Sequence, residues 1–154
     1  MPHTLRIRQG LLDDLDTLAP LFDAYRRFYE QPADLDAARR FLHERLALRE
    51  SVIFVAERVE TSDNQTLGFT QLYPGFSSVA AQRLWILNDL FVIPEARGQG
   101  VGRALLERAR EHAGRTGACR MTLSTANDNT GAQRLYEDVG YLRDTDVHYA
   151  LPVP

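Results

Sequence analysis

Cysteine is almost missing from this sequence, Cys119 being alone among 154 residues. No internal disulfide can form, which suits a reducing compartment. Long apolar runs are missing as well. The longest are far too short to cross a bilayer, and MPHTLRIRQG at the start lacks the apolar centre of a signal peptide. There is no excess of positive charge: 18 Lys and Arg against 21 Asp and Glu give a formal net charge of −3. That argues against non-specific binding to nucleic acid and favours a neutral or cationic substrate. The histidines show no metal-ligand spacing, so no metal is expected. Repeats, linkers and low-complexity tracts are absent too. What remains is an ordinary globular composition, 44% apolar and 25% charged, long enough to bury a core. One cytoplasmic domain over residues 1–154, with no membrane partner, is the expectation.

The hydrophobic pattern gives the order of elements. TLRIRQ (Thr4–Gln9) alternates as a strand does. Leu15, Leu18, Phe22, Tyr25 and Tyr29 then recur every three or four residues, predicting an amphipathic helix that Pro32 ends. Leu35, Ala38, Leu42 and Leu46 form the stripe of a second helix. SVIFVAER and TLGFTQLY read as strands joined by a turn at TSDNQ, and PGFSSVAAQ reads as a loop. RLWILNDLFVI (Arg83–Ile93) is nearly continuous in apolar residues, which predicts a strand inside the sheet with both faces covered. A helix to about Arg115 follows, then a strand at RMTLST and a short helix Asn129–Val139 stopped by Gly140. Tyr141–Leu151 is expected to close the sheet as a last strand. Cys119, between a helix and a strand, is expected as a small buried filler. The fold class is therefore α+β with a mixed sheet.

The stretch PEARGQGVGRALLE places Gly98, Gly100 and Gly102 at the start of a helix, where glycine costs stability. A strand that runs into such a helix start makes an anion site, because the first-turn N–H groups converge and the helix dipole adds positive potential. A Walker A loop needs Lys-Ser/Thr after the last glycine, and here Arg103-Ala104 follows. A Rossmann fingerprint counted from Gly98 needs its third glycine where Arg103 stands, and MTLST ends without an acid for a ribose.

A third pattern fits. Arg97-Gly98-Gln99-Gly100-Val101-Gly102 matches the [RQ]-x-x-G-x-[GA] signature of the GCN5-related N-acetyltransferases. Downstream, Asn129-x-x-Ala132-x-x-Leu135-Tyr136-x-x-x-Gly140-Tyr141 resembles that family's N-x-x-A-x-x-L-Y-x-x-x-G-[FY] segment. The order of elements is similar along the whole chain. The resemblance implies a central, mostly antiparallel mixed sheet flanked by helices, with two central strands splayed at a bulge. It implies acetyl-CoA as co-substrate: its pyrophosphate on the main chain of Arg97, Gly98, Gln99, Gly100, Val101, Gly102 and Arg103, and its pantetheine arm between Leu90, Phe91 and Val92 on one side and Leu123 and Ser124 on the other. Asn129 and Ala132 would meet the coenzyme from the last helix, although Asn129 equally suits a helix cap.

The implied reaction is attack of an amine on the thioester carbon. An alkyl ammonium, with a pKa of about 10.4, must lose a proton first, and the departing thiolate must gain one. The resemblance makes Tyr136 the general acid; its stripe with Ala132, Leu135 and Val139 also suits a core aromatic. Polyamine-type members read Leu-Glu-Asp where this chain reads Leu87-Asn88-Asp89, and asparagine cannot accept a proton. Asp89 is the remaining carboxylate, provided a bulge turns it to the acceptor side; an acid tied to main chain or arginine is the other reading, and a water chain to solvent is an alternative route for the proton. Tyr25, Tyr29 and Glu30, with Asn88, are candidates to line the acceptor pocket, an aromatic wall with carboxylates suiting a small cation. A small-molecule amine is the leading acceptor. A protein lysine or N-terminus, and a non-catalytic acyl-CoA-binding module, are the alternatives. Resemblance and the apolar VHYALPVP also suggest a homodimer.

Overall fold

The computed structural model describes residues 4–154, which fall into two compact units, one ending at Ser124 and the other Thr125–Pro154. The first holds β1 (Thr4–Gly10), α1 (Leu15–Phe28), α2 (Leu35–Ala47), β2 (Val52–Val59), β3 (Gln65–Ser77), β4 (Gln82–Val92), α3 (Val101–Arg115) and β5 (Met121–Thr122). Its five strands lie in the order β1-β2-β3-β4-β5, antiparallel except for the parallel pair β4–β5. Mixed α/β architecture with a mostly antiparallel sheet is what the sequence predicted.

Strand alternation sends successive side chains of β2 to opposite faces. Ile53 and Val55 pack with Phe69, Phe91 and the apolar stripe of α1 and α2, Leu15, Leu18, Phe22, Ala38 and Leu42. Phe54 points the other way, against His112 of α3 at a ring distance of 5.4 Å. Both faces of β2 are thus covered, which is why VIFVAE contains no exposed position. Asp34 caps α2 by accepting from the Ala37 N–H at 2.9 Å, and its own N–H donates to buried Asp23 of α1, also at 2.9 Å. These two bonds fix the helix pair after Pro32 has ended the first helix.

Three expectations need correction. The loop expected from Pro74 is strand: β3 continues to Ser77, Pro74 pairing with Trp85. Proline fits there because β2 reaches only as far as Leu72, and because Trp85 turns its own N–H away, to the Arg120 carbonyl at 3.2 Å. The missing N–H of Pro74 therefore faces an open sheet edge and breaks no ladder bond. Cys119 is exposed rather than buried; its N–H donates to the Arg83 carbonyl at 2.8 Å and its Sγ accepts from Arg120 Nη1 at 3.8 Å.

In the second unit α4 (Thr130–Val139) is followed by residues 141–154 without helix or strand, where a closing strand was expected. A strand requires a neighbour to bond, and the second unit by itself contains no other strand. Asn129 caps α4, its Oδ1 accepting from the Ala132 N–H at 3.3 Å. Gly140, at φ 116°, stops the helix as predicted.

Candidate active site

The site grows from one inserted residue. Along β4, Leu87 pairs with Leu72 and Asp89 with Gln71, so Asn88 has no partner of its own and forms a bulge. Before it, Trp85 and Leu87 share the α3 face; Trp85 lies 4.9 Å from His112 and its Nε1–H donates to Thr116 at 2.8 Å. After it the phase is reversed. Asp89 and Phe91 now face α1 and α2, where a regular strand would have turned odd-numbered positions toward α3.

Asp89 is therefore placed, only 4% exposed, among donors. Its carboxylate accepts from Gln71 Nε2 at 2.6 Å, from Asn88 Nδ2 at 3.1 Å and from the Tyr25 hydroxyl. No arginine is among these partners. Burial raises its pKa above the usual carboxylate value, and the hydrogen bonds from Gln71, Tyr25 and Asn88 only partly oppose this. A carboxylate poised in that way suits proton transfer better than a freely solvated one. The side chain of Asn88 is exposed and orients Asp89.

Tyr25 combines two sequence readings. Its ring belongs to the core, 5.7 Å from Phe69 and 6.1 Å from Phe91, while its hydroxyl serves Asp89. Tyr29 stacks edge-on against Tyr25 at 5.1 Å and stays exposed. Glu30 takes a left-handed turn at φ 62° just past α1 and is exposed as well. Gln71 was not anticipated, yet a signal existed: it stands between Phe69 and Tyr73 on an otherwise apolar strand face and is fully buried. Its Oε1 has no hydrogen-bond partner among the described residues.

The resemblance puts the coenzyme on the other edge of β4. The parallel ladder with β5 consists of Trp85↔Met121 and Ile86↔Thr122 and then stops. From Leu87 to Val92 that edge has no strand beside it among the described residues, which is the splay the sequence implied. The edge ends where Arg97 Nε donates to the Val92 carbonyl at 3.0 Å, with the guanidinium 5.8 Å from the Phe91 ring and 5.3 Å from Phe28.

Gly98 and Gly100 have φ of 73° and 82°, the left-handed region that side chains disfavour. Open space lies where their side chains would stand. The first N–H of α3 to bond back is that of Ala104, to the Gly100 carbonyl at 3.0 Å, so the first-turn amides of Val101, Gly102 and Arg103 have no carbonyl one turn back. Left-handed glycines, unused amides and open space form a cradle that fits a pyrophosphate.

The profile of the Acetyltransferase (GNAT) family matches residues 18–141. This chain belongs to that family. YhfO of Bacillus subtilis (strain 168), named an uncharacterized N-acetyltransferase, is 50% identical over 151 residues, which is 97% of this chain and 99% of the relative. A crystal structure described as "a probable acetyltransferase" is 45% identical with a TM-score of 0.90, over 97% of this chain and 98% of the other. An aminoglycoside N-acetyltransferase in complex with CoA shares 20% identity and a TM-score of 0.81 over 99% of this chain and 97% of its own, a likeness of fold. The protein is an acetyl-CoA-dependent N-acetyltransferase. Among the described residues no helix is long and apolar enough to cross a membrane, and no group of side chains could hold a metal ion.

In the second unit Tyr136 sits on α4, its ring 5.9 Å from that of Tyr141. Asn129 has its carbonyl oxygen engaged in the cap, so the helix-cap reading holds for that atom.

Proposed function

We propose that the protein transfers the acetyl group of acetyl-CoA to the primary amine of a small molecule by direct attack. The observation that carries this reading is the buried Asp89 carboxylate, turned by the Asn88 bulge onto the α1–α2 face. The acceptor ammonium gives a proton to Asp89. Its nitrogen then forms the N–C bond, the C–S bond breaks and the thiolate takes a proton from Tyr136, while the second proton lost from the nitrogen as the amide forms passes through solvent and restores the Tyr136 phenol. The main chain from Arg97 to Arg103 holds the pyrophosphate, the edge Leu90–Val92 with Ser124 holds the pantetheine arm, and Asn129 and Ala132 meet the coenzyme from α4. Bound acetyl-CoA supplies the electrophilic thioester; this chain supplies orientation and the two proton positions.

The absence of the polyamine-type glutamate at Asn88 is the best sequence support for the alternative of a non-catalytic acyl-CoA module. The bonding around Asp89 speaks against that reading, since a carboxylate with an elevated pKa stands one residue away and Asn88 orients it. The proposal includes a cytoplasmic homodimer, for which the apolar VHYALPVP segment is the support and sedimentation at several concentrations the check.

The test is thiol release from acetyl-CoA by the purified protein with a panel of primary amines. Saturable release that falls at least about a hundredfold in Tyr136→Phe supports the assignment. Unchanged release in Tyr136→Phe removes Tyr136 from the mechanism. No release with any amine, despite saturable acetyl-CoA binding, restores the binding-module reading.

A further inference from the structure

The transfer reading leaves the acceptor open, and a recess on the same face of the first unit narrows it; the inference rests on that reading. Arg45, Arg49, Glu50, Tyr73 and Pro74 line a cleft of about 540 Å³ between the end of α2 and the outer half of β3. Arg45 is short of acceptors there. Its Nε is buried with no partner among the described residues, and Nη2 reaches Glu44 and Glu50 only at 3.4 and 3.3 Å. Those separations are long for charge-assisted bonds. The Phe41 ring, 4.9 Å from the guanidinium carbon, holds the group in place without satisfying it. Arg49, in a left-handed turn at φ 55° just past α2, is exposed and enters no ion pair among the described residues.

Tyr73 joins this cleft to Asp89. It follows Gln71 by two positions and so shares its strand face. Burial pushes its phenol up to about 12, with the Asp89 charge adding to the rise and Arg45 opposing it, so the hydroxyl lies within electrostatic reach of both. Beside Asp89, Gln71 Oε1 is a buried acceptor without a donor. Arg45 in the cleft therefore lacks an acceptor, and Gln71, two positions from the cleft-lining Tyr73 on the same strand face, lacks a donor.

We propose that the acceptor is a small amine carrying a carboxylate, its ammonium at Asp89 and Gln71 Oε1 and its carboxylate at Arg45 and Arg49. A zwitterion satisfies both orphaned groups, at Gln71 and at Arg45. A polyamine would set its second cation in a cleft lined by two guanidiniums and a single carboxylate, Glu50.

The experiment measures thiol release from acetyl-CoA by the whole protein with α- and ω-amino acids, each beside its own amide, and with spermidine. A kcat/KM at least about tenfold higher for an acid than for its amide is expected, the size of one charge-assisted contact. Arg49→Ala should shrink that acid-over-amide ratio and Arg49→Lys should keep part of it. Arg45→Met provides a second, independent reading of the same ratio. Equal rates for acids and amides, or a preference for spermidine, overturn the carboxylate assignment and leave acetyl transfer standing. No release with any amine overturns the transfer reading, and this inference with it.

Discussion

Asp89→Asn separates a working carboxylate from a structural one. Asparagine has the same shape, so the packing around position 89 is kept. The wild-type carboxylate accepts from Gln71, Asn88 and Tyr25. An asparagine at that position can accept with only one oxygen, and its amide must face one of these donors. Gln71 can accommodate it by rotating its amide, because Gln71 Oε1 has no competing partner among the described residues. One weakened hydrogen bond costs about 1 kcal/mol, and removing a buried charge offsets a similar amount. The melting temperature should therefore move little. The rate should not be so tolerant: loss of a general base costs about 10²–10⁴ in kcat, or roughly 3–5 kcal/mol of barrier. The pH dependence gives the sharper check. Asp89 has its folded pKa raised by burial, so the folded state binds the proton more readily than the unfolded chain. Stability contributed by this group falls as pH rises from the ordinary carboxylate value through the raised one, while activity, which needs the ionised form, rises over the same range. Asp89→Asn should abolish the stability decline and the acid limb of the rate profile together. Thiol release and thermal melts from pH 4 to 9 measure both (about 3.9 being ordinary for an aspartate). A variant within about threefold of wild type in kcat/KM at every pH would refute the proton-acceptor role.

Three other perturbations have definite outcomes. Gly100→Ala, at φ 82° with open space in front of it, should cost about 1–2 kcal/mol by conformation alone and weaken acetyl-CoA binding in calorimetry; unchanged melting would contradict the left-handed geometry. Glu57 opposes burial through hydrogen bonds from Arg8 at 2.7 and 2.9 Å and from Arg6 at 2.6 Å, and its carboxyl is held below the usual range; Arg8 does the same for Asp14 at 2.8 Å. Both acids favour the folded state above their ordinary pKa and lose that contribution as pH falls through their depressed values. Glu57→Gln should therefore cost about 1–3 kcal/mol at neutral pH, discounted because both arginines are partly exposed, and flatten the acid limb of the stability curve seen by urea titration. His112, whose pKa burial lowers with help from Arg108 and Arg83, should make stability fall as pH drops below its ordinary value of about 6.5. Trp85, the single tryptophan, reports this by fluorescence, and His112→Phe should remove the transition.

The elements most legible in the sequence are those whose pattern is set by burial on one known period. The stripes of α1 and α2 and the Gly140 stop of α4 follow from local chemistry and appear where that chemistry puts them. Pro74 was misread because a proline looks like a loop unless the strand's open edge is known, and edges are tertiary facts. Exposure of Cys119 was illegible for a similar reason: short flanking segments do not say which side the sheet leaves bare. The glycine loop was legible twice over, as motif and as physics, since two left-handed residues before a helix have few side-chain solutions. Gln71 was visible as a polar residue on an apolar face, but its purpose depends on a partner on another strand. Arg45 and Arg49 carry no local signal at all; only the packing of α2 on β3 brings them beside Tyr73.

Asn88 shows how a departure from a family pattern can preserve chemistry. A one-residue bulge in β4 changes which of two adjacent positions faces the acceptor side, so the identity of either residue means little until the phase is known. Here the phase gives that face to Asp89 and leaves Asn88 exposed. A glutamate at the Asn88 position would add a second carboxylate beside Asp89, and like charges at that distance raise the pKa of one another. Asparagine instead donates to Asp89 at 3.1 Å and stabilises its ionised form against the burial that disfavours it. The loss of one candidate base is thus coupled to the support of the other, and the two positions act as one unit whose effects on rate should not add.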